Sequence, residues 1–145
     1  MYETVDQVMA WMKDEFTKHP ELQFEYVDYG DPDDIIPGFP AIIITNNPTV
    51  RRLGGTHTFN IELSVDLWVL HANGNASTAQ RRMEDIQLCN QIQAFLDLNM
   101  RLDNNIIQGW VSGQSPGLLA RRGTLIVATR MTWDGVTQSR FTLQP

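Results

Sequence analysis

A chain of 145 residues of which 42% are hydrophobic is long enough to fold as one domain with a sizeable core. Its apolar runs, such as 41–44 and 67–70, fall far short of the roughly 20 residues that a membrane-spanning helix requires. Cys89 is the single cysteine, so an intrachain disulfide is excluded.

The net charge of −6 is unevenly distributed along the chain. Residues 1–34 carry ten acidic residues and two lysines, whereas the remainder carries seven acidic residues and nine arginines. The acidic segment is either a solvated helix face or one half of a head-to-tail complementarity between copies of the chain. A basic patch that binds nucleic acid is disfavoured, and arginine is well suited to protein interfaces because it forms planar, bidentate pairs.

The first predicted element is an amphipathic helix over 4–18. Its apolar side chains lie within about 60° of one another on a helical wheel with 100° per residue, and they are Val5, Val8, Met9, Met12 and Phe16. Trp11 lies about 120° from the centre of this face. The tryptophan is therefore either a contact at the flank of the helix or an exposed anchor for another chain.

A short strand is predicted within 23–29, followed by a turn-rich loop and an apolar strand over 40–45. The most informative segment is 58–70, where apolar and polar residues alternate strictly, which predicts one long strand. At about 3.3 Å per residue it extends about 43 Å, whereas a domain of this size has a diameter of about 38 Å. A strand that overshoots its own domain favours pairing or contact beyond the subunit.

Glu62 and Asp66 lie on the polar face of this strand. Their predicted separation of about 13 Å exceeds the separation of paired catalytic carboxylates in glycosidases. We interpret them as facing either solvent or a channel.

The next predicted helix covers 77–99, and its apolar residues span an arc of about 180°, wide enough to contact two surfaces. One surface is the sheet, and the other is the first helix or a neighbouring subunit. Strands over 106–111 and 124–133 complete the pattern.

Two long predicted loops, 46–56 and 112–123, combine apolar residues with arginines, a composition typical of interface anchors. Packing of these residues onto the domain's own surface is equally compatible with the sequence. The candidate interface residues are Arg51, Arg52 and Leu53 in the first loop and Leu118, Leu119, Arg121 and Arg122 in the second, together with Trp11.

The sequence thus predicts a single α+β domain over 1–145, with a mostly antiparallel sheet of about four strands and two long helices packed on it, in α-β-β-α-β-β order. The three histidines, His19, His57 and His71, are predicted to lie too far apart to share a metal ion. No phosphate loop, H-E-x-x-H or paired-cysteine motif occurs. We therefore predict no catalytic, cofactor-binding or metal-binding residues, and no enzymatic activity.

The layout of 40–132 resembles that of the tail terminator or tail-completion proteins of tailed bacteriophages. The resemblance rests on the run PAIIIT from Pro40, the strand IELSVDLWVL from Ile61, the helix AQRRMEDIQLCNQIQAFL from Ala79, and the closing strands through Arg130. It is a resemblance of element order, with the N-terminal helix also in its expected place.

The resemblance implies a virion structural protein that forms a ring, expected to be hexameric, at the head-proximal end of the tail. Such a ring ends tail-tube polymerisation and joins the tail to the head connector. The implied partners are other copies of the chain, the tail tube protein and the connector protein, with DNA passing through unbound, no membrane and no cofactor. Assembly in the host cytoplasm and residence in the virion neck follow from the same resemblance. The alternatives are another neck component, such as a head-completion or stopper protein, and a non-viral protein-interaction module.

Overall fold

A computed structural model describes residues 1–32, 34–72, 77–121 and 124–140. These ranges form two α-helices and six strands, in the order α1 (Val5–Lys18), β1 (Tyr26–Tyr29), β2 (Ala41–Asn46), β3 (Val50–Gly55), β4 (Thr58–Ala72), α2 (Thr78–Leu98), β5 (Gln108–Arg121) and β6 (Thr124–Arg140). A 3₁₀ turn, Pro20–Leu22, follows α1. Within the described ranges, neither α-helix is both long and apolar enough to cross a membrane.

The architecture is α+β, but the predicted sheet of about four mostly antiparallel strands in α-β-β-α-β-β order is wrong. The sheet is mixed and six-stranded, with the order β1-β2-β4-β6-β5, and β3 pairs with β4 beside β2. The strand β1 runs parallel to β2, and the other pairs are antiparallel. The error has a physical cause: the predicted loops 46–56 and 112–123 are largely strands, and backbone pairing requires no apolar alternation when both faces of a strand are exposed.

Both predicted helices are confirmed, and each begins with a side-chain contact that caps its N-terminus. The Gln7 side chain accepts a hydrogen bond from the backbone N–H of Thr4 at 3.2 Å, and Ser77 Oγ accepts one from the N–H of Gln80 at 3.1 Å. These contacts satisfy donors that a helix start otherwise leaves without partners.

The long strand predicted over 58–70 is also confirmed, and it extends to residue 72. All fifteen residues of β4 pair with β6, from Thr58 opposite Arg140 to Ala72 opposite Ile126. On its other side, β4 pairs first with β3 and then with β2. At about 3.3 Å per residue this central pair of strands is about 50 Å long.

The two helices cover one face of the sheet and bury the main core. Alternate β4 residues from Ile61 to Val69 point to this face, where they meet Ile42 and Ile44 of β2. The helices contribute the remaining large side chains, which include Val8, Met12 and Phe16 of α1 and Leu88, Ile92 and Leu96 of α2.

The opposite face, which we call the open face, has a buried apolar cluster at one end. Its members are Ala41, Ile43, Leu70, Ile126 and Ala128. Ile36 and Phe39, in the connection between β1 and β2, pack against it. The rest of the open face carries mainly polar and charged side chains, together with Trp110 and Val136.

The strand β5 forms one edge of the sheet, and two features interrupt its regularity. The register with β6 shifts between Val111 and Gly113, which marks a bulge. Three positions further on, Pro116 occupies the strand opposite Thr129 and has no N–H to donate. Residues 112–118 are exposed.

Trp133 of β6 is fully buried, and two glycines make room for its indole. A Cβ atom added to Gly109 would lie 2.1 Å from Trp133 Cζ2, and one added to Gly135 would lie 2.3 Å from Cη2. These distances are far below van der Waals contact, so the close approach requires glycine at both positions.

We expect Gly109→Ala and Gly135→Ala each to lower the free energy of unfolding by about 1–3 kcal/mol, because the methyl group displaces a packed indole. Gly117→Ala is the matched control on the same sheet, since a Cβ there meets nothing within 4 Å. The control should change stability by less than about 1 kcal/mol. Urea denaturation of the three variants measures the difference, and equal effects in all three would contradict the packing argument.

Candidate interaction surfaces and a buried polar network

The first predicted interface segment is a strand in the structure, and it is highly exposed. Arg51, Arg52 and Leu53 belong to β3, and Leu53 retains 72% of its accessible surface. The Arg51 guanidinium lies 4.2 Å from the centroid of the Phe59 ring, close enough for a cation–π contact. We call this projecting unit of β3 and the start of β4 the β3–β4 hairpin.

The second predicted interface segment is the paired end of β5 and β6 rather than a loop. Leu118 is 50% exposed, whereas Leu119 is half-buried against the apolar cluster of the open face. Leu125, opposite Ala120, is 45% exposed. The side chain of Arg121 and all of Arg122 lie outside the described part of the chain.

Trp11 is buried, so it occupies the flank position and is not available as an exposed anchor. Its indole stacks on Phe95 with 6.1 Å between ring centroids, and its Nε1 donates a hydrogen bond to Asp103 Oδ2 at 2.8 Å. The tryptophan thus joins α1 to α2 and to the segment that follows α2.

Glu62 and Asp66 both lie on the open face, and their environments differ. Glu62 is exposed and lines a groove of about 410 Å³ together with Trp110 and Asp134. Asp66 is half-buried and accepts hydrogen bonds from Asn47 Nδ2 and Thr132 Oγ1, each at 2.9 Å. Because Asp134 pairs with Ser64, midway between the two, three carboxylates follow one another along this face. The sequence analysis did not identify Asp134.

A buried carboxylate network, also missed from the sequence, connects α2 to the sheet. Asp85 of α2 is fully buried. Its Oδ1 lies 3.0 Å from His71 Nδ1, and its Oδ2 accepts hydrogen bonds from Thr129 Oγ1 and, at 3.3 Å, from Arg82 Nη1. Arg82 also donates to the backbone carbonyl oxygens of Ala128 at 3.1 Å and Gly117 at 2.6 Å.

Cys89 lies one helical turn after Asp85 and is buried. Burial, together with the nearby Asp85 carboxylate, raises the pKa of the Cys89 thiol to about 12. The thiol is therefore a packed, protonated group at neutral pH.

The histidines have separate surroundings. His19 lies between Glu15 and Glu21, 3.0 Å from each carboxylate, whereas His71 contacts Asp85. Hydrogen bonding to Glu21 is the main cause that raises the pKa of His19. Across the described residues, no three side chains of the histidine, cysteine, aspartate or glutamate types come together in an arrangement that could hold a metal ion.

Comparison with known proteins gives no match, either among protein-family models or among curated proteins. The geometry of the chain itself therefore carries the functional argument.

We expect Asp85→Ala to lower the free energy of unfolding by about 3–5 kcal/mol, because it leaves the Arg82 charge and buried polar groups of His71 and Thr129 without their shared acceptor. The matched control is Glu84→Ala, which removes an adjacent carboxylate paired with Arg81 at the surface. Surface pairs contribute at most about 1 kcal/mol. Urea denaturation compares the two variants, and a loss for Asp85→Ala as small as that of the control would show that the network is not a major source of stability.

The native Cys89 thiol should react very slowly with iodoacetamide at pH 8. With a pKa of about 12, the thiolate is on the order of one molecule in 10⁴ at that pH, and the side chain is also shielded from the reagent. Mass spectrometry of labelled protein before and after urea denaturation measures the difference. Fast labelling of the folded protein would contradict the buried position.

Proposed function

We propose that this protein is a virion structural component that forms a ring at the head-proximal end of a bacteriophage tail. In this role it ends polymerisation of the tail tube and provides the surface on which the head connector docks. The function depends on association between subunits and with neighbouring rings, without chemical turnover. The resemblance of the sequence layout over 40–132 to that of tail terminator proteins is the starting point of the proposal.

The observation that carries the proposal is the long pair of strands β4 and β6, with exposed apolar side chains near both ends. Leu53, beside the start of β4, is 72% exposed, and Leu118, beside the start of β6, is 50% exposed. Large apolar side chains at projecting positions are typical of protein interfaces when arginines accompany them. A subunit with such a surface at each end can contact one neighbour on either side.

The outer side of α2 supports the same proposal. Met83, Ile86 and Leu98 are 57%, 43% and 86% exposed, although the opposite side of the helix is buried in the core. A helix that is apolar on two sides requires two partners to bury both. The sheet is one partner, and a neighbouring subunit is the second in a ring.

A ring at this position must let DNA pass, and the middle of the open face carries acidic side chains. Glu62, Asp66 and Asp134 lie there, whereas Arg130 lies towards the apolar end of the face, over the ring of Trp68. Lysines or arginines in their place would bind phosphates through the release of counterions and slow the passage of DNA. We therefore propose that the open face lines the channel.

Deletion of the gene from a phage that encodes it tests the proposal directly. The expected result is particles in which tail tubes have irregular lengths and lack attached heads, as seen by electron microscopy. Purified wild-type protein added to these tubes should form a ring at one end and prevent further polymerisation there. Tails of normal length joined to heads in the deletion mutant would contradict the proposal, and heads that leak DNA beside normal free tails would favour the head-completion or stopper alternative.

The channel assignment predicts that Glu62→Lys combined with Asp134→Lys slows DNA ejection at low salt. These two acidic residues are preferable to Asp66, because reversal at Asp66 would also break its hydrogen bonds to Asn47 and Thr132. Ejection should recover as salt rises and the Debye length falls below about 8 Å.

The control for ejection is Asp6→Lys, which also replaces an acidic residue with lysine, at an exposed position on α1. Fluorescence detection of released DNA measures the rate. If particles with the double reversal assemble fully and eject DNA at the wild-type rate at low salt, the open face does not line the channel.

A further inference from the structure

A groove lies between α2 and the segment that follows α1, and its wall is acidic. Its volume is about 630 Å³. Glu21 and Glu25 line one side, Glu84 of α2 lines the other, and His71 of β4 also contributes to the wall. We call this the acidic groove.

The three carboxylates of the groove differ in whether a neighbouring cationic group pairs with them. Glu84 is paired with Arg81 at 2.7 Å, and Glu21 lies 3.0 Å from His19. Glu25 has an exposed side chain with no ion-pair partner among the described residues. The groove therefore retains negative charge that a cationic side chain from outside can neutralise.

Exposed apolar side chains lie on the side of α2 that borders the acidic groove, and we call them the apolar stripe. They are Met83, Ala94 and Leu98. Three exposed polar residues, Gln87, Asn90 and Gln91, separate Met83 from the other two, and Gln87 and Gln91 also line the groove. A segment that binds here therefore meets acidic and apolar groups side by side.

The β3–β4 hairpin has the complementary composition. Arg51 and Arg52 are exposed and have no ion-pair partner among the described residues. Leu53 follows them directly and is 72% exposed. Arg51 and Leu53 project from one face of β3 and Arg52 projects from the other, so the hairpin carries positive charge on both faces and a leucine beside Arg51. These groups match the acidic wall and the apolar stripe in charge and polarity.

The hairpin and the groove lie at opposite ends of β4, so one copy cannot satisfy both. Thr58 begins β4 at the hairpin, and His71, thirteen residues later, lines the groove. That separation corresponds to about 43 Å along the strand. A subunit with complementary surfaces at its two ends associates head to tail.

We propose that the acidic groove receives the β3–β4 hairpin of a second copy of this chain, with Arg51 and Arg52 at the carboxylates of Glu21 and Glu25 and Leu53 on the apolar stripe. This contact is the one that repeats around the proposed ring, and to that extent the inference rests on the proposed function. The contact is heterologous, because different surfaces of the two copies meet. Repetition of such a contact forms a ring when its rotation closes and a filament when it does not.

A charge swap tests the contact in solution. One variant carries Arg51→Glu and Arg52→Glu, and the other carries Glu21→Arg and Glu25→Arg. All four positions are exposed, so each variant should keep its circular dichroism spectrum. Sedimentation velocity at low salt should show concentration-dependent association of the wild type, weakened by at least about 100-fold in either variant because like charges then face each other.

Mixing the two variants should restore association, because both contacts between unlike variants bring opposite charges together. The reversed hairpin of one variant meets the reversed groove of the other, and the native hairpin meets the native groove. The two variants should therefore alternate along the assembly. A chain with all four substitutions should regain full assembly. The matched controls are Arg101→Glu and Asp6→Lys, two exposed charges outside both surfaces, and they should associate as the wild type does.

The outcomes are distinguishable from those that test the proposed function. Failure of the four-substitution chain to regain assembly, or a wild type that stays monomeric at low salt and high concentration, overturns the inference. If both charge-reversed variants still form rings at tube ends, the proposed function is preserved and this contact is overturned. Conversely, association that the charge swap rescues, in a protein whose deletion leaves tails normal, supports the contact and counts against the tail function.

Discussion

The structure depends on one constraint, the uninterrupted register of β4 with β6. Side chains alternate between the two faces of a strand. This register therefore places alternate residues from Ile61 to Val69 under the helices, and it places the carboxylates of Glu62 and Asp66 on the open face. A slip of one residue would exchange the two sets and expose the core. Fifteen consecutive pairs with a buried apolar face make such a slip very costly. The positions of β2, β3 and β5 follow, because each pairs with one of these two strands.

Elements with a periodic apolar pattern could be predicted from the sequence, and elements without one could not. The helices and the long strand have a buried side, so their sequences carry the period of the structure. The residues of β3 are exposed throughout, and the distal half of β5 contains Gly113, Pro116 and Gly117, which are typical of loops. Hairpin pairing with β4 and β6 makes these segments strands, and exposed hairpin residues need no apolar period. The parallel pairing of β1 with β2 was also missed, because β1 has only four residues and none of them is fully buried.

The candidate surfaces were only partly predictable. The arginine and leucine pattern of β3 was recognised, although in the wrong local structure, whereas Asp85 was overlooked because an acidic residue in a helix usually faces solvent. One signal was available: His71 continues the helix-facing register of β4 that runs from Ile61 to Val69. A histidine at a buried position requires a polar partner, and α2, the next element, supplies Asp85. Trp11 was ambiguous on the helical wheel, and its partners Phe95 and Asp103 lie far along the chain.

The irregular edge strand β5 affects how readily another strand can add to the sheet. Long free edges of β-sheets recruit further strands and lead to fibrils or precipitates at the concentrations reached during rapid synthesis. Pro116 lacks a backbone donor, and the bulge between Val111 and Gly113 twists the edge, so β5 is a poor template for an added strand. Contacts at this edge must then rely on side chains rather than on backbone pairing. The edge therefore does not extend the sheet strand by strand.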